Sequence, residues 1–125
     1  MTRIKALRDS VKAELEAGAG ISFYSEFAPP WVKVPFGVFS LVLLRRGEAS
    51  EEYDLLVNIA DSGTDEERVE ELAELAAQRL DCLDYFGEDG TAWGCYLNSC
   101  QPIDHGDTTI YQRRLNFTIK YYRKG

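Results

Sequence analysis

The sequence has a single histidine, His105, among its 125 residues. Any mechanism that pairs an imidazole with a serine or cysteine nucleophile therefore depends on that one residue. The stretch from Asp104 to Asp107 has the composition of a turn, whereas a catalytic pair needs a fixed geometry. We therefore predict no catalytic residues and expect that the protein is not an enzyme. The alternative is an enzyme in which Cys95, Cys100 and His105 meet in one pocket.

Cysteine is also scarce, with only Cys82, Cys95 and Cys100. An odd number of cysteines is more typical of free thiols in a reducing compartment than of a disulfide framework. Together with His105 they have the residue types of a Cys3His zinc site, but their spacing lacks the two-residue step between paired ligands that marks such sites. We therefore predict no metal and no cofactor.

Positive charge is in deficit, and no apolar run is long enough to cross a bilayer. Fourteen Lys and Arg against 21 Asp and Glu give a net charge of -7, so the protein repels phosphate and we predict no sequence-specific nucleic-acid binding. The longest strongly apolar stretch, Phe36 to Leu44, is about half of the roughly 20 residues that a transmembrane helix needs. Met1 to Lys5 show no signal-peptide pattern. We expect no membrane segment and synthesis in the cytoplasm.

Acidic residues gather in two places, but neither matches the alternating oxygen ligands and closing glutamate of a calcium loop. The group from Asp61 to Glu67 is typical of a helix N-terminus, where the macrodipole favours negative charge. The second group consists of Asp81, Asp84, Glu88 and Asp89. It predicts a solvated turn, with a weak cation contact at a subunit boundary as the alternative.

Apolar residues at helical spacing predict two amphipathic helices. The first runs from Thr2 to about Ala17 and ends at Gly18 to Gly20, where glycine supplies the left-handed conformation that closes a helix. The second starts at Thr64, which has the capping-box spacing to Glu67, and runs to about Leu83. Its predicted buried stripe consists of Val69, Leu72, Ala73, Ala76 and Leu80.

Four stretches predict β-strands. The run from Val34 to Leu44 is almost continuously apolar, which is typical of a strand covered on both faces. After a polar turn, the alternation from Tyr53 to Ala60 predicts the second strand of a hairpin. Trp93 to Asn98 and Ile110 to Tyr122 supply the other two strands. The second face of the last strand is amphipathic, which suits partial coverage by another subunit.

The predicted order is therefore α-β-β-α-β-β. This order indicates an α+β protein in which two main helices cover one face of an antiparallel or mixed four-stranded sheet. The length and the apolar content favour a single domain over residues 1–125.

Loops held by a rigid sheet commonly carry recognition. This favours two contact surfaces, the loop from Ala28 to Lys33 and the hairpin tip from Arg45 to Glu52. The basic C-terminal strand also suits the acidic second helix of a neighbouring copy, while the alternative is a charged edge strand that discourages aggregation. The predicted interface residues are Trp31, Lys33, Arg45, Arg46, Glu48, Glu51, Arg113 and Lys120.

Four features resemble one family over nearly the whole chain. They are the opening helix, the segment Val34 to Phe39 after a proline-bearing loop, the entry Ala60 to Gly63 into the second helix, and the closing strand Arg113 to Tyr121. In element order, length and hydrophobic spacing they resemble the tail-terminator and minor tail proteins of long-tailed phages and prophages. The resemblance lies in this pattern and not in a diagnostic motif.

The resemblance implies a structural protein that forms a ring, typically of six copies, in the virion tail. Such a ring caps the tail tube, stops its polymerisation and offers a surface to the head-completion or neck protein. No residue is catalytic in that role. An acidic subunit suits a lumen through which DNA must slide without sticking. Two alternatives are a head-tail joining or stopper protein, which binds a portal-side partner, and a small cytosolic enzyme or ligand-binding domain.

Overall fold

The computed structural model describes residues 3–63, 66–103 and 110–122. Two helices and six strands occur in these residues. In chain order they are α1 (Arg3–Ala19), β1 (Phe23–Ser25), β2 (Phe36–Arg46), β3 (Ser50–Ser62), α2 (Glu67–Leu80), β4 (Leu83–Phe86), β5 (Ala92–Ile103) and β6 (Ile110–Tyr122). Neither of these helices is long and apolar enough to span a membrane.

The strands form one mixed sheet in the order β1-β2-β3-β6-β5-β4. The predicted β2–β3 hairpin is present, and β3 pairs with β6 along 13 residues, from Ser50 opposite Tyr122 to Ser62 opposite Ile110. All neighbours are antiparallel except β1 and β2. The two long central strands therefore form the rigid middle, and the shortest strands, β1 and β4, form the edges.

The predicted four-stranded sheet with the order α-β-β-α-β-β was wrong, because β1 and β4 add a strand at each edge and give the order α-β-β-β-α-β-β-β. Strand β1 has only three residues, too few for an alternating pattern to be visible. Contacts with α1 and β2 hold strand β1 in the sheet. The Phe23 amide donates to Glu16 Oε2 at 3.0 Å, and the Phe23 ring packs so closely on Gly37 that a Cβ there would meet it at 2.2 Å.

The sequence analysis missed strand β4 because it predicted that the second helix continues to about Leu83. Helix α2 instead ends at Leu80, Asp81 has extended backbone, and Cys82 has a φ of 62°. This left-handed residue turns the chain so that Leu83 pairs with Cys95 on β5. At the start of α2 the predicted capping box involves Thr64, which lies outside the described residues.

The core lies between the two helices and one face of the sheet. Every second residue of β3 and β6 points into it, including Leu55, Val57 and Phe117, which are fully buried. The buried Trp93 indole donates to Ser10 Oγ on α1 at 2.9 Å, and that hydroxyl donates to the Leu7 carbonyl at 2.8 Å. The polar groups that the helix must bury at this point therefore have partners.

The opposite face of the sheet is not covered by either helix. Its residues on β3 and β6 are mostly polar and only half-buried, and Asn98 from β5 donates to Asn116 at 2.9 Å and to Thr118 at 2.7 Å across it. We call this side the open face. The expectation that β2 is covered on both faces was also wrong, because Val42, Leu43 and Leu44 are exposed.

Candidate interaction surfaces

A groove lies at the β1 edge of the sheet, between α1 and the loop that follows β1. It has a volume of about 510 Å³ and its lining includes Arg8, Lys12, Tyr24, Phe27, Pro30 and Trp31. We call it the aromatic groove. Two backbone hydrogen bonds shape the loop, from the Phe27 amide to Ser25 O at 2.9 Å and from the Val32 amide to Pro29 O at 3.1 Å. In this loop Phe27 is 79% exposed and Trp31 is 78% exposed.

The tip of the β2–β3 hairpin is held by two ion pairs. Arg45 Nη2 lies 2.9 Å from Glu52 Oε1, and Arg46 Nε lies 2.8 Å from Glu51 Oε2. The turn closes with the Gly47 amide donating to Ser50 O at 2.8 Å. Both arginine side chains are mostly exposed, so each retains donors that face solvent.

The outer edge of β2 is only partly paired. Strand β1 covers it from Gly37 to Phe39, and no strand in the described part of the chain follows along residues 41–46. Val42, Leu43 and Leu44 are exposed beside this edge. An unpaired edge with exposed apolar side chains is a place where another chain commonly adds, and the arginines at its end limit nonspecific pairing.

The residues predicted as interface residues fall into two groups. Trp31, Lys33, Arg45, Arg46 and Glu48 are exposed at the groove or the hairpin tip, and Lys120 is exposed on the open face with its Nζ 5.9 Å from the Tyr122 ring centroid. Glu51 and Arg113 are buried and engaged within this chain. We therefore restrict the proposed contact surface to the six exposed residues.

Arg113 ties β6 to the start of α2. Its Nη2 pairs with Glu66 Oε2 and, at 2.8 Å, with Glu70 Oε1. Burial by itself would lower the pKa of the Arg113 guanidinium, but the hydrogen bonds and charges of Glu66 and Glu70 outweigh that effect and raise the pKa. Arg113 of the basic strand therefore meets the acidic helix within one subunit, and a contact between the strand of one copy and the helix of another stays a prediction.

The β4 edge, at the other end of the sheet, is acidic and carries an exposed aromatic ring. Tyr85 stacks on Trp93 with ring centroids 5.2 Å apart, so its neighbour Phe86 points to the opposite side and is 80% exposed. Asp84 and Glu88 flank Phe86 and are exposed. Sequence analysis missed Phe86, because an aromatic residue next to a turn is more often part of a core. The surrounding acidic residues were the available signal.

The three cysteines differ in exposure, since Cys95 is buried and Cys82 and Cys100 are exposed. Burial, followed by the charges of Asp81 and Cys82, raises the pKa of the Cys95 thiol to about 12, so the thiol stays protonated near neutral pH. Burial also raises the pKa of Cys100, against the opposing effect of Arg113. Asp104, His105 and Asp107 lie outside the described residues. Within residues 3–63, 66–103 and 110–122, no three His, Cys, Asp or Glu side chains are grouped so that they could hold a metal ion.

No known family and no curated protein matches the sequence. Solved structures do match the fold. One is a chain of a structure described as the virion of a native gene transfer agent particle, with a TM-score of 0.69, 10% identity, and coverage of 90% of this chain and 92% of that chain. A second solved structure, whose description states no function, matches with a TM-score of 0.69 and 13% identity. The match covers 98% of this chain and 96% of that chain. The protein therefore shares its fold with a chain of a gene transfer agent virion.

Proposed function

We propose that this protein is a structural, non-enzymatic component of a phage or phage-like virion. The observation that carries the proposal is the fold shared with the chain of the gene transfer agent virion, which extends over at least nine-tenths of both chains. The arrangement of this chain's own surfaces supports an assembly role, because its exposed aromatic residues and its charged tips lie on loops and edges held by a rigid sheet.

Within that class we propose a tail terminator. In this role the protein forms a ring, of six copies in related systems, that binds the last ring of tail tube subunits and presents its other side to a head-completion or neck protein. A ring subunit needs two different surfaces that are complementary to each other. The contact between them is heterologous, and it closes into a ring when its rotation divides a full turn. It also needs separate surfaces for its two axial partners. The hairpin tip with Arg45, Arg46 and Glu48 is the proposed contact with the tube.

The second candidate is a head-tail joining or stopper protein of the same virion module. Such a protein uses the same kind of exposed loops, but binds a portal-side partner instead of the tube. The enzyme alternative has less support, since the buried, protonated Cys95 thiol is a poor nucleophile. The proposals differ in which particle the protein recognises, and that difference is measurable.

The test is to add the purified protein to growing tail tubes and, separately, to tailless heads of the same virion. A terminator shortens the tubes, and negative-stain images show a cap on one end. A joining protein binds the heads and leaves tube length unchanged. Binding to neither particle would overturn the assignment to the virion.

A charge reversal then tests the hairpin tip. Arg45→Glu with Arg46→Glu should weaken tube binding at least tenfold, because both guanidinium groups face solvent. The matched control is Glu71→Lys with Glu74→Lys, which reverses two charges on the exposed side of α2. Equal tube binding by both double variants would exclude the hairpin tip as the contact.

A further inference from the structure

The three most exposed large hydrophobic residues in the described chain are Phe86, Phe27 and Trp31. Their positions are not scattered. Phe27 and Trp31 line the aromatic groove beside β1, whereas Phe86 belongs to β4, at the opposite end of the strand order. Large exposed aromatic side chains are enriched where proteins bind other proteins. Each edge of the sheet thus presents an aromatic feature, a concave one at β1 and a protruding one at β4.

The charges at the two edges are opposite. Arg8 and Lys12 line the aromatic groove and form no ion pair with any described residue, while the charge of Asp9 is compensated by Lys5 Nζ at 2.7 Å. On the β4 edge, Asp84 and Glu88 flank Phe86 and likewise form no ion pair within the described ranges. A cationic groove and an anionic protrusion on one protein are electrostatically complementary between copies.

We propose that the β4 edge of one copy docks into the aromatic groove of the next. Phe86 enters the groove beside Phe27 and Trp31, and the carboxylates of Asp84 and Glu88 face Arg8 and Lys12 of the neighbour. The occupant of the groove is therefore a second copy of this chain. This inference rests on the proposed ring function and names the contact that builds the ring.

The contact joins two different surfaces, the groove beside β1 and the edge at β4, so it is heterologous. A heterologous contact that repeats from copy to copy generates a ring when its rotation closes. Each copy uses its groove toward one neighbour and its β4 edge toward the other. An aromatic anchor in a pocket with a charged rim is the usual energetic pattern of such contacts.

Both partners of the contact are held in place before docking. The stack of Tyr85 on Trp93 and the hydrogen bond from the Gly87 amide to Thr91 O at 2.8 Å fix the β4–β5 turn beside Phe86. Adjacent prolines restrict the loop on the groove side. Because little side-chain and loop freedom is lost on docking, more of the contact energy appears as affinity.

Two variants test the contact. The edge variant carries Asp84→Lys and Glu88→Lys, and the groove variant carries Arg8→Glu and Lys12→Glu. Sedimentation velocity across a concentration range, with and without tail tubes, measures assembly, and circular dichroism checks that each variant is folded. Each variant alone should lose self-association at least tenfold. A chain that carries all four reversals should regain it, because the charges are then complementary again.

Mixing the two variants gives the sharpest readout. In the mixture, the cationic groove of the edge variant meets the anionic edge of the groove variant, and the anionic groove of the groove variant meets the cationic edge of the edge variant. Both contacts are then matched in charge. An equimolar mixture should therefore assemble again, with the two variants alternating around the ring. The control is again Glu71→Lys with Glu74→Lys, which should assemble like the wild type.

The outcomes separate this contact from the function it rests on. If the wild-type protein does not assemble with or without tubes, the proposed ring function fails and this contact with it. If the wild type assembles and the two variants assemble equally well, the ring stands and this contact is excluded. A mixture of the two folded variants that fails to assemble would also exclude it.

Discussion

The two faces of the central strands β3 and β6 differ in whether the helices cover them. On β3 and β6, the residues that point to α1 and α2 are apolar and fully buried, for example Val57 and Phe117. The alternate residues, such as Asn58 and Thr118, are mostly polar and are half-buried or exposed, and no described helix covers them. Both sets belong to the same two strands and share the same backbone pairing. Among the described residues, the helices cover only one of the two faces of these strands.

This difference separates stability from assembly. Apolar burial is the dominant favourable contribution to folding, and in this sheet it is concentrated on the helix-covered face. The open face and the two edges carry the exposed aromatic and charged residues. Substitutions on the covered face should therefore unfold the protein, whereas those elsewhere should alter binding and leave the fold intact. The predictions below test that separation with paired variants from both faces.

The largest expected effect is that of Phe117→Ala, which removes a fully buried ring from the middle of β6. It should lower the free energy of unfolding by about 3 to 5 kcal/mol, because apolar area is lost and a cavity remains. Thr118→Ala, one residue along on the open face, is the matched control and should cost less than about 1 kcal/mol. Urea denaturation measures both. Equal losses would mean that the open face also carries a core.

A smaller loss is expected from Ser10→Ala. The hydroxyl accepts from the buried Trp93 indole, so its removal leaves that donor without a partner. The unfolding free energy should fall by about 1 to 3 kcal/mol. Asn98→Ala on the open face also removes hydrogen bonds, but Asn98 is exposed and water replaces them. A loss for Asn98→Ala as large as that for Ser10→Ala would contradict the comparison.

Periodicity located the two helices and the four long strands because each contains enough residues to show its spacing. It indicated a short extended piece from Ile21 to Phe27 but did not identify β1 or β4 as a strand of the sheet. Strand β1 depends on the packing of Phe23 against Gly37, and β4 depends on the left-handed turn at Cys82, both of which are consequences of the tertiary structure. Local sequence therefore identified the elements with strong patterns, and tertiary pairing added the edges.

The exposed surfaces, like the strands, could be predicted only in part from the sequence. The proline-bearing loop with Trp31 and the polar hairpin tip were identified from loop composition, and both are exposed. Glu51 was not recognisable as buried, because its position next to Arg46 and under Tyr53 follows from the register of the hairpin. Phe27 and Phe86 were missed for the opposite reason, since composition does not distinguish an exposed aromatic residue from a core one.

The third prediction concerns the ion pairs at the end of β6. Arg113→Ala should lower the free energy of unfolding by about 1 kcal/mol, because Glu66 and Glu70 are half exposed and return to water when the guanidinium is removed. Its neighbour Arg114, which donates to Asn58 at 3.2 Å on the open face, is the control, and Arg114→Ala should cost less than about 0.5 kcal/mol. A large loss from Arg114→Ala would show that the open face is stabilised by its polar contacts.

The last prediction changes no residue and separates the covered side from the surface by thiol chemistry. Cys82 and Cys100 are exposed, whereas Cys95 is buried on the helix-covered face with its pKa raised from 9.0 to about 12. Iodoacetamide reacts with the thiolate, so at pH 8 it should alkylate Cys82 and Cys100 in the native protein and reach Cys95 only in urea. Mass spectrometry of the digested protein reports each site.

The alkylation of Cys95 in the folded protein should depend on pH in one direction. Because the Cys95 pKa is higher in the folded state, the folded state holds its proton more tightly. The stability from this thiol is fully present below pH 9, and it is lost as the pH rises toward 12. Native alkylation of Cys95 should therefore stay slow near neutral pH and accelerate only in that alkaline range. Rapid alkylation of all three thiols at pH 8 would mean that the helices do not seal this part of the sheet.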